Sequence, residues 1–375
     1  MQATAPRGNA GSAGLHRWTC APPASKTARP ERLGSAWGQV EGLDLGANFD
    51  VVAVGNAIVD ILQATPDAFL EKETIAKGGM TLIDETRADH LTALFDKAVI
   101  QAGGSAANTV TGVASFGGKA GYIGKVADDA LGRDFTKAFR AAGVTFETAA
   151  RPTPPGTARC LIAVTPDGQR SMSTYLGAST LLESRDLDKD LIQSGKITFL
   201  EGYLFDRDEA KAAFVKAAEF ARAAGRKVAL TLSDTFCVDR HRASFRQLVE
   251  GHIDILFANE AEILSLYETR DFHAALNTAR AACPLVAVTR SEKGSVIAID
   301  KETVNVAAEP GVKVVDTTGA GDLYAAGFLY GAARGFEVAA CGALGSLAAA
   351  EVISHMGPRP EANLKQLAER KGLAV

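Results

Sequence analysis

Residues 316–322, Asp-Thr-Thr-Gly-Ala-Gly-Asp, bring two carboxylates, two hydroxyls and two glycines together just before a mainly apolar stretch that reaches Arg334 without a charge. If Gly319, Ala320 and Gly321 open a helix there, its first backbone N–H groups are unpaired and carry the positive end of the dipole. Small side chains let an anion approach those groups closely, which suits a phosphate. Asp322, held beside the anion, would be placed to take the proton of an attacking hydroxyl. That chemistry is phosphoryl transfer, where positioning and charge stabilisation supply most of the catalysis. A plain turn with a capping acid would carry the same letters. The Val-Lys-Val-Val run at 312–315 reads as the strand that delivers the turn.

Four further polar sets follow apolar runs. In Gly-Asn-Ala-Ile-Val-Asp, which contains Asn56, Asp60 would end the first strand, where its carboxylate could accept two hydrogen bonds from a vicinal diol; a solvated strand end is the alternative. At 102–118, Gly103 and Gly104 allow close backbone approach to a ligand, and Ser105 and Asn108 offer side-chain hydrogen bonds. An ordinary helix capped by Ser105 would look similar. Asn259 and Glu262 stand three apart, so a helix would show them on one face, and a carboxamide with a carboxylate suits Mg²⁺ held through its waters. An exposed cap with a solvated glutamate competes with that reading. Thr289 and Gly294, after a further apolar run, could line a nucleotide pocket or simply make a turn.

The elements that must position these sets are legible as a pattern. The runs FDVVAVGNAIVDIL, KAGYIGKV, ITFLEGYL, KVALTLS, IDILFAN and PLVAVTR look like buried parallel strands. Between them lie helical stretches such as 208–225, which ends on Gly225 as a C-terminal cap should. Strand and helix alternate, so the expected fold class is α/β, a doubly wound, mainly parallel sheet flanked by helices. One segment breaks the alternation: 157–179 holds two β-rich arms around Pro166-Asp167-Gly168, a hairpin and a small β appendage to the site. In such sheets ligands sit at the carboxyl ends of the strands, where the polar sets stand.

Whole-chain properties narrow the function. A chain of 375 residues with 47% hydrophobic residues can bury a large core, and its net charge of −4 gives no general attraction for nucleic acid or an anionic membrane. No window reaches the roughly 18–20 apolar residues of a membrane span. The five cysteines are scattered without a CxxC pair, which argues against zinc and for reduced thiols in a reducing compartment. Residues 1–47 are rich in Ala, Gly, Ser and Pro and read as a disordered extension, with an organelle transit peptide as the alternative to a cytoplasmic protein. Neither GxGxxG nor GxxxxGK[ST] fits, so a Rossmann dinucleotide site and a P-loop are both unsupported.

Order and spacing together are more specific than any one set. From about Phe49 to Pro360 the chain resembles the ribokinase (PfkB-type) family of sugar and nucleoside kinases. DTTGAGD matches that family's C-terminal signature, GGSAANT with GGKAGYIGKVADDALGRDF its N-terminal one, NEAE its NxxE motif and GNAIVD its strand-one substrate motif. The resemblance implies a ribokinase-like kinase domain over 48–365, a β lid drawn from about 61–100 and 155–178, and a short tail at 366–375. It implies Asp322 as the base, and Gly319, Ala320 and Gly321 as the anion hole. Asn56, Asp60, Gly104, Ser105 and Asn108 would bind sugar or ribose hydroxyls. Asn259 and Glu262 would organise Mg²⁺ and the phosphates, and Asn259, Thr289, Gly294 and Thr318 would contact ATP. Ser291 departs from the family, whose members usually have glycine there.

GGSAAN with GNAIVDI is more similar to the adenosine kinase branch. The expected activity is ATP-dependent phosphorylation of the 5′-hydroxyl of a purine nucleoside, adenosine first. A kinase for a furanose such as ribose or fructose is the alternative, and a non-catalytic nucleoside- or sugar-binding regulator a third reading. The resemblance implies Mg²⁺, with a monovalent cation as a further candidate, and a monomer or dimer without nucleic-acid or membrane partners.

Overall fold

The structure, a computed structural model, describes residues 46–375. The readings of residues 1–45 as an extension or transit peptide lie outside the described residues. Among the described residues, no helix is long and apolar enough to cross a membrane.

Phe49–Val54 (β1) stands inside a nine-stranded sheet, with β5 (Ala120–Ile123) and β6 (Val144–Phe146) on one side. On the other side follow β9 (Gly195–Glu201), β10 (Lys227–Thr231), β11 (Ile255–Asn259), β12 (Leu285–Thr289), β13 (Ser295–Ile299) and β14 (Glu302–Val306). Pairing is parallel from β6 to β12, and the last two strands turn back antiparallel. Each of the six apolar runs expected to be buried strands supplies a strand of this sheet. Burial explains why: Val51 and Ala53 point into one apolar layer and Val52 and Val54 into the other, all at 0% exposure. A strand covered on both faces has no polar alternation to show.

The first layer packs against α3 (Ser105–Ser115), α10 (Ala320–Ala333), α11 (Val338–Val352) and α12 (Leu364–Arg370). The second holds α6 (Asp208–Ala223), α7 (Thr235–His252), α8 (Glu260–Leu266) and α9 (Phe272–Ala282). The short α5 (Lys189–Ser194) leads into β9, and α4 (Ala130–Ala141) packs Phe135 and Phe139 against Tyr122 and Phe146. Gly225, at φ +71°, follows α6 in the left-handed conformation expected of it.

A second, five-stranded sheet has the order β3 (Met80–Leu82), β8 (Arg170–Tyr175), β7 (Ala158–Val164), β2 (Ile58–Ala64) and β4 (Val99–Gly103). The β7–β8 hairpin turns at Pro166-Asp167-Gly168, with Gly168 at φ +79° and the Thr165 N–H donating to Gln169 O at 3.0 Å. One face of this sheet is covered by helices: Val59, Ile61, Leu161 and Ala163 join the core with Leu70 of α1 (Asp67–Lys72) and Ala88 and Leu91 of α2 (Glu85–Leu94).

Two strand readings change. FDVVAVGNAIVDIL is two strands in two sheets, because the chain leaves the large sheet at Gly55-Asn56 and enters the small one at Ile58. Asp60 therefore lies inside β2, paired across to Gln101 and Cys160, and does not end the first strand. The run at 312–315 is not a strand. Val314 and Val315 are 57% and 42% exposed, and the segment is tied to the core by the Val315 N–H donating to Ile353 O at 2.8 Å.

Candidate active site

The polar sets stand at the carboxyl ends of strands of the large sheet, and Asp60 of the small sheet acts on Asp322 among them. Helix α10 starts there with Gly319 at its N-terminal cap, φ +79°, and no side chain capping it. A Cβ on Gly319 would lie 2.6 Å from Pro358 O, so glycine is required by both conformation and space. Around Gly321 a Cβ would meet nothing within 4 Å. The helix N-terminus is thus open to a ligand, with the positive end of its dipole exposed.

Asp322, in the first turn, is turned to α3. Its Oδ1 accepts from Ser105 Oγ at 2.6 Å and its Oδ2 from Asn108 Nδ2 at 2.9 Å. Ser105 is therefore not the cap of α3; Gly104 holds that position at φ +101°, and a Cβ there would overlap Asn56 O. Burial pushes the Asp322 carboxyl above its ordinary pKa, and the bonds from Ser105 and Asn108 pull it back. The result is a carboxylate held in one orientation and made more basic than a surface aspartate.

Asp60 faces the same space from β2. It is 8% exposed, and a Cβ on Gly103 would overlap its Oδ2, so Gly103 leaves room for the carboxylate. Burial raises its pKa to about 7, Arg170 and Arg359 lower it, and Asp322 raises it. Asn56 donates from Nδ2 to Glu201 Oε1 at 2.9 Å, which leaves Asn56 Oδ1 buried without a partner. Asn108 Oδ1 is in the same position. Buried acceptors of this kind need donors, and a polyhydroxyl ligand supplies them.

Three charged residues at this site do not stand out in the sequence. Glu201, 1% exposed at the end of β9, accepts from Asn56 N at 3.3 Å and Ala106 N at 2.8 Å, and ties the end of β1 to the start of α3. Burial lifts it to about 7, against those hydrogen bonds. Its sequence signal is an acid closing the apolar run ITFLE. Arg170, on β8 just past the hairpin turn, donates from Nη1 to Asp316, while its Nε and Nη2 are buried without partners. Asp316 also accepts from Thr318 N at 3.0 Å and Gly357 N at 2.9 Å, so Thr318 serves the turn through its backbone. Arg359 follows α11 and has no periodicity to betray it.

Asn259 and Glu262 form a closed capping box on α8. Asn259 Oδ1 accepts from Glu262 N at 2.8 Å, and Glu262 accepts from Asn259 N at 2.9 Å and from Asn259 Nδ2 at 2.7 Å. Glu262 is 5% exposed rather than solvated, and burial raises it to about 7. With both oxygens already accepting, the pair fits Mg²⁺ through water better than direct ligation. Thr289 is the cross-strand partner of Asn259. Gly294, at φ +79°, precedes β13, where a Cβ would overlap Val306 O. Ser291 takes φ +53°, a left-handed conformation for which glycine is the easier residue.

Comparison with known proteins gives the family of the chain. The family model for PfkB carbohydrate kinases matches residues 72–364. The adenosine kinase of Saccharomyces cerevisiae is 26% identical over 82% of this chain and 96% of its own. The 5-dehydro-2-deoxygluconokinase of Shouchella clausii is 28% identical over 82% of this chain and 91% of its own. Among solved structures, the adenosine kinase from Sinorhizobium meliloti is 51% identical with a TM-score of 0.81, covering 87% of this chain and 100% of that one. A probable sugar kinase from Rhizobium etli CFN 42 is 49% identical with a TM-score of 0.82, covering 88% and 100%.

Proposed function

The chain belongs to the PfkB family of carbohydrate kinases, and on that premise we propose that it transfers the γ-phosphoryl group of ATP to the 5′-hydroxyl of a purine nucleoside, adenosine first. That it is an ATP-dependent kinase follows from the family and its adenosine kinase relatives. The nucleoside and the residue roles are our reading.

One observation supports a nucleoside over a free sugar. The face of the small sheet turned away from α1 and α2 carries an apolar row next to Asp60. Cross-strand register aligns Met80, Met172, Ile162, Leu62 and Val99 in one row, and Leu82, Thr174, Cys160, Asp60 and Gln101 in another. Met80 and Leu82 are 47% and 52% exposed. Leu62 and Ile162, nearest Asp60 in these rows, are 8% and 2% exposed, so a ribose on Asp60 would have apolar residues beside it, with the exposed part of the face towards β3. A planar base can use that face; a free furanose has nothing to lay on it.

In this reading Asp60, Asn56 and Asn108 accept hydrogen bonds from ribose hydroxyls. Asp322 takes the 5′-hydroxyl proton as the oxygen attacks. The N–H groups at Gly319 and Gly321, with that of Ala320 once it leaves its 3.3 Å bond to Thr317 O, bind the transferring phosphoryl oxygens. Arg170, beside this space, adds positive charge. Asn259 and Glu262 would hold Mg²⁺ through its waters, and the ion supplies further neutralisation of the phosphates. Thr289 and Gly294 border the nucleotide side. The small sheet acts as a lid that excludes water, which limits ATP hydrolysis.

The test is ATP turnover against adenosine, guanosine, inosine, ribose and fructose, with the phosphorylated position of the product assigned by NMR. Highest kcat/KM on adenosine with a 5′-phosphate product is expected. A free sugar as best acceptor would overturn the substrate assignment and leave the kinase assignment standing.

A further inference from the structure

The ladder between β11 and β12 ends at the pair Asn259 and Thr289, which the scheme above gives to Mg²⁺ and to the nucleotide. One residue further the two chains part. Glu260 opens α8, and Arg290 begins the turn that leads to Gly294. There a side-chain link takes over from the backbone ladder. Arg290 donates from Nη2 to Glu260 Oε1 at 2.8 Å and from Nε to Glu260 Oε2 at 3.1 Å. The guanidinium thus meets the carboxylate as a fork, which fixes orientation as well as distance. Its flat face lies on Phe272, the first residue of α9, with the guanidinium carbon 4.0 Å from the ring centroid. Phe272 is buried, so the ring is a fixed floor.

The turn itself is closed on the same residue. The Arg290 N–H donates to Gly294 O at 2.7 Å and the Lys293 N–H to Arg290 O at 3.1 Å, while the Gly294 N–H donates to Ser291 O at 3.0 Å. These bonds shape the turn without placing it against α8; the Arg290 side chain does that. The two side chains are 22% and 32% exposed, a setting in which an ion pair adds little to stability. A fork, a stacked face and a turn closed on one residue instead set the spacing of two segments that face the nucleotide.

We propose that Arg290 is a positioning residue for ATP: through Glu260 it holds the 290–294 turn at a set distance from the Asn259–Glu262 cap. This rests on the reading of those two segments as the nucleotide side of the site. Neither Arg290 nor Glu260 touches the reacting atoms in that reading. Without the link, turn and cap must be ordered when ATP arrives, and that ordering weakens binding. The loss therefore falls on the KM for ATP and leaves the chemical step alone.

The experiment measures kcat, both KM values and thermal melts for wild type, Arg290→Met, Arg290→Lys, Glu260→Gln and the Arg290→Met/Glu260→Gln double variant, with the best acceptor of the wild-type panel. Each neutral single variant should raise the KM for ATP about fivefold, and the double variant should raise it no further, because the two residues act as one link. Arg290→Lys should fall between, since lysine keeps the charge and loses the fork. Saturating kcat and the acceptor KM should stay near wild type. The proposal is overturned if either folded neutral single variant keeps the wild-type KM for ATP, if their effects multiply in the double variant, or if kcat and both KM values worsen alike. Hydrogen exchange of the wild type with and without a non-hydrolysable ATP analogue separates the two levels. If residues 289–294 gain no protection, the reading of this turn as nucleotide-facing fails. If they gain protection while Arg290→Met keeps the wild-type KM for ATP, only the positioning role fails.

Discussion

Two helices of this protein begin at the edge of the large sheet with an acid in the first turn, and they treat that start in opposite ways. At α8 the chain satisfies itself. Asn259 and Glu262 exchange three hydrogen bonds, and the backbone N–H groups of both residues are engaged. At α10 the cap is Gly319, which has no side chain to offer, and Asp322 turns away to Ser105 and Asn108. The first arrangement stabilises a helix; the second leaves a dipole and small residues facing the site. Similar letters thus build a strut in one place and, in the reading proposed above, a reaction centre in the other. Substitutions at α8 should register mainly in stability, and those at α10 mainly in turnover.

The largest effect is expected from Asp322→Asn, which keeps the shape and removes the proposed base. It should lower kcat by about 10²- to 10⁴-fold while the protein stays folded in thermal melts. In the wild type, kcat should fall as pH drops through an Asp322 pKa set above the ordinary value of about 3.9 by burial, because the proposed base works as the ionised carboxylate. Next comes Gly321→Ala. A Cβ there touches nothing of the protein, so the melting temperature should hold while a methyl group enters the anion's space. A loss of kcat of roughly tenfold or more with unchanged stability is the signature. Gly319→Ala, by contrast, should lose both, since its Cβ meets Pro358 and its φ is left-handed.

At α8 the balance should reverse. Asn259→Ala opens the capping box and should cost about 1 kcal/mol in chemical denaturation, together with a higher Mg²⁺ requirement if the pair holds the ion's waters. The smallest effect is at Ser291→Gly. Relief of its left-handed backbone should raise stability by a few tenths to about 1 kcal/mol. A decrease would mean that the serine side chain has a role its contacts do not reveal.

The contrast also marks which parts of the molecule sequence reasoning can reach. The strands of the large sheet are readable because burial on both faces makes them apolar throughout. The hairpin at 166–168 is readable because Gly168 must take a positive φ. The same apolar criterion fails at 312–315, where exposed valines imitate a strand, and at 49–62, where one run serves two sheets. The run is visibly broken at Gly55-Asn56, but nothing in hydrophobicity tells a change of sheet there from a kink within one strand. A Cβ on Gly55 would lie 2.5 Å from Glu201 Oε2, a group so distant along the chain that no local pattern records the contact.

The site divides in the same way. Asp322, Ser105 and Asn108 stand out because each belongs to a local cluster of small and polar residues, although only the fold joins Asp322 to the other two. Glu201, Arg170 and Arg359 do not. Each is a single charge in an otherwise ordinary segment, and its significance arises from burial beside other charges. The capping box at α8 is visible as a spacing, but its closure, which sets Glu262 apart from a solvated acid, is a property of the folded chain.

The central claim is that α10 presents the phosphoryl-transfer site and Asp322 is its base. Single-turnover phosphoryl transfer with ATP and adenosine, set beside calorimetric binding of adenosine, tests it most directly in wild type and Asp322→Asn. The account predicts adenosine binding within a few-fold of wild type and transfer slowed by about 10²-fold or more in the variant. Transfer at the wild-type rate in Asp322→Asn, or loss of adenosine binding with transfer per bound molecule unchanged, would contradict it.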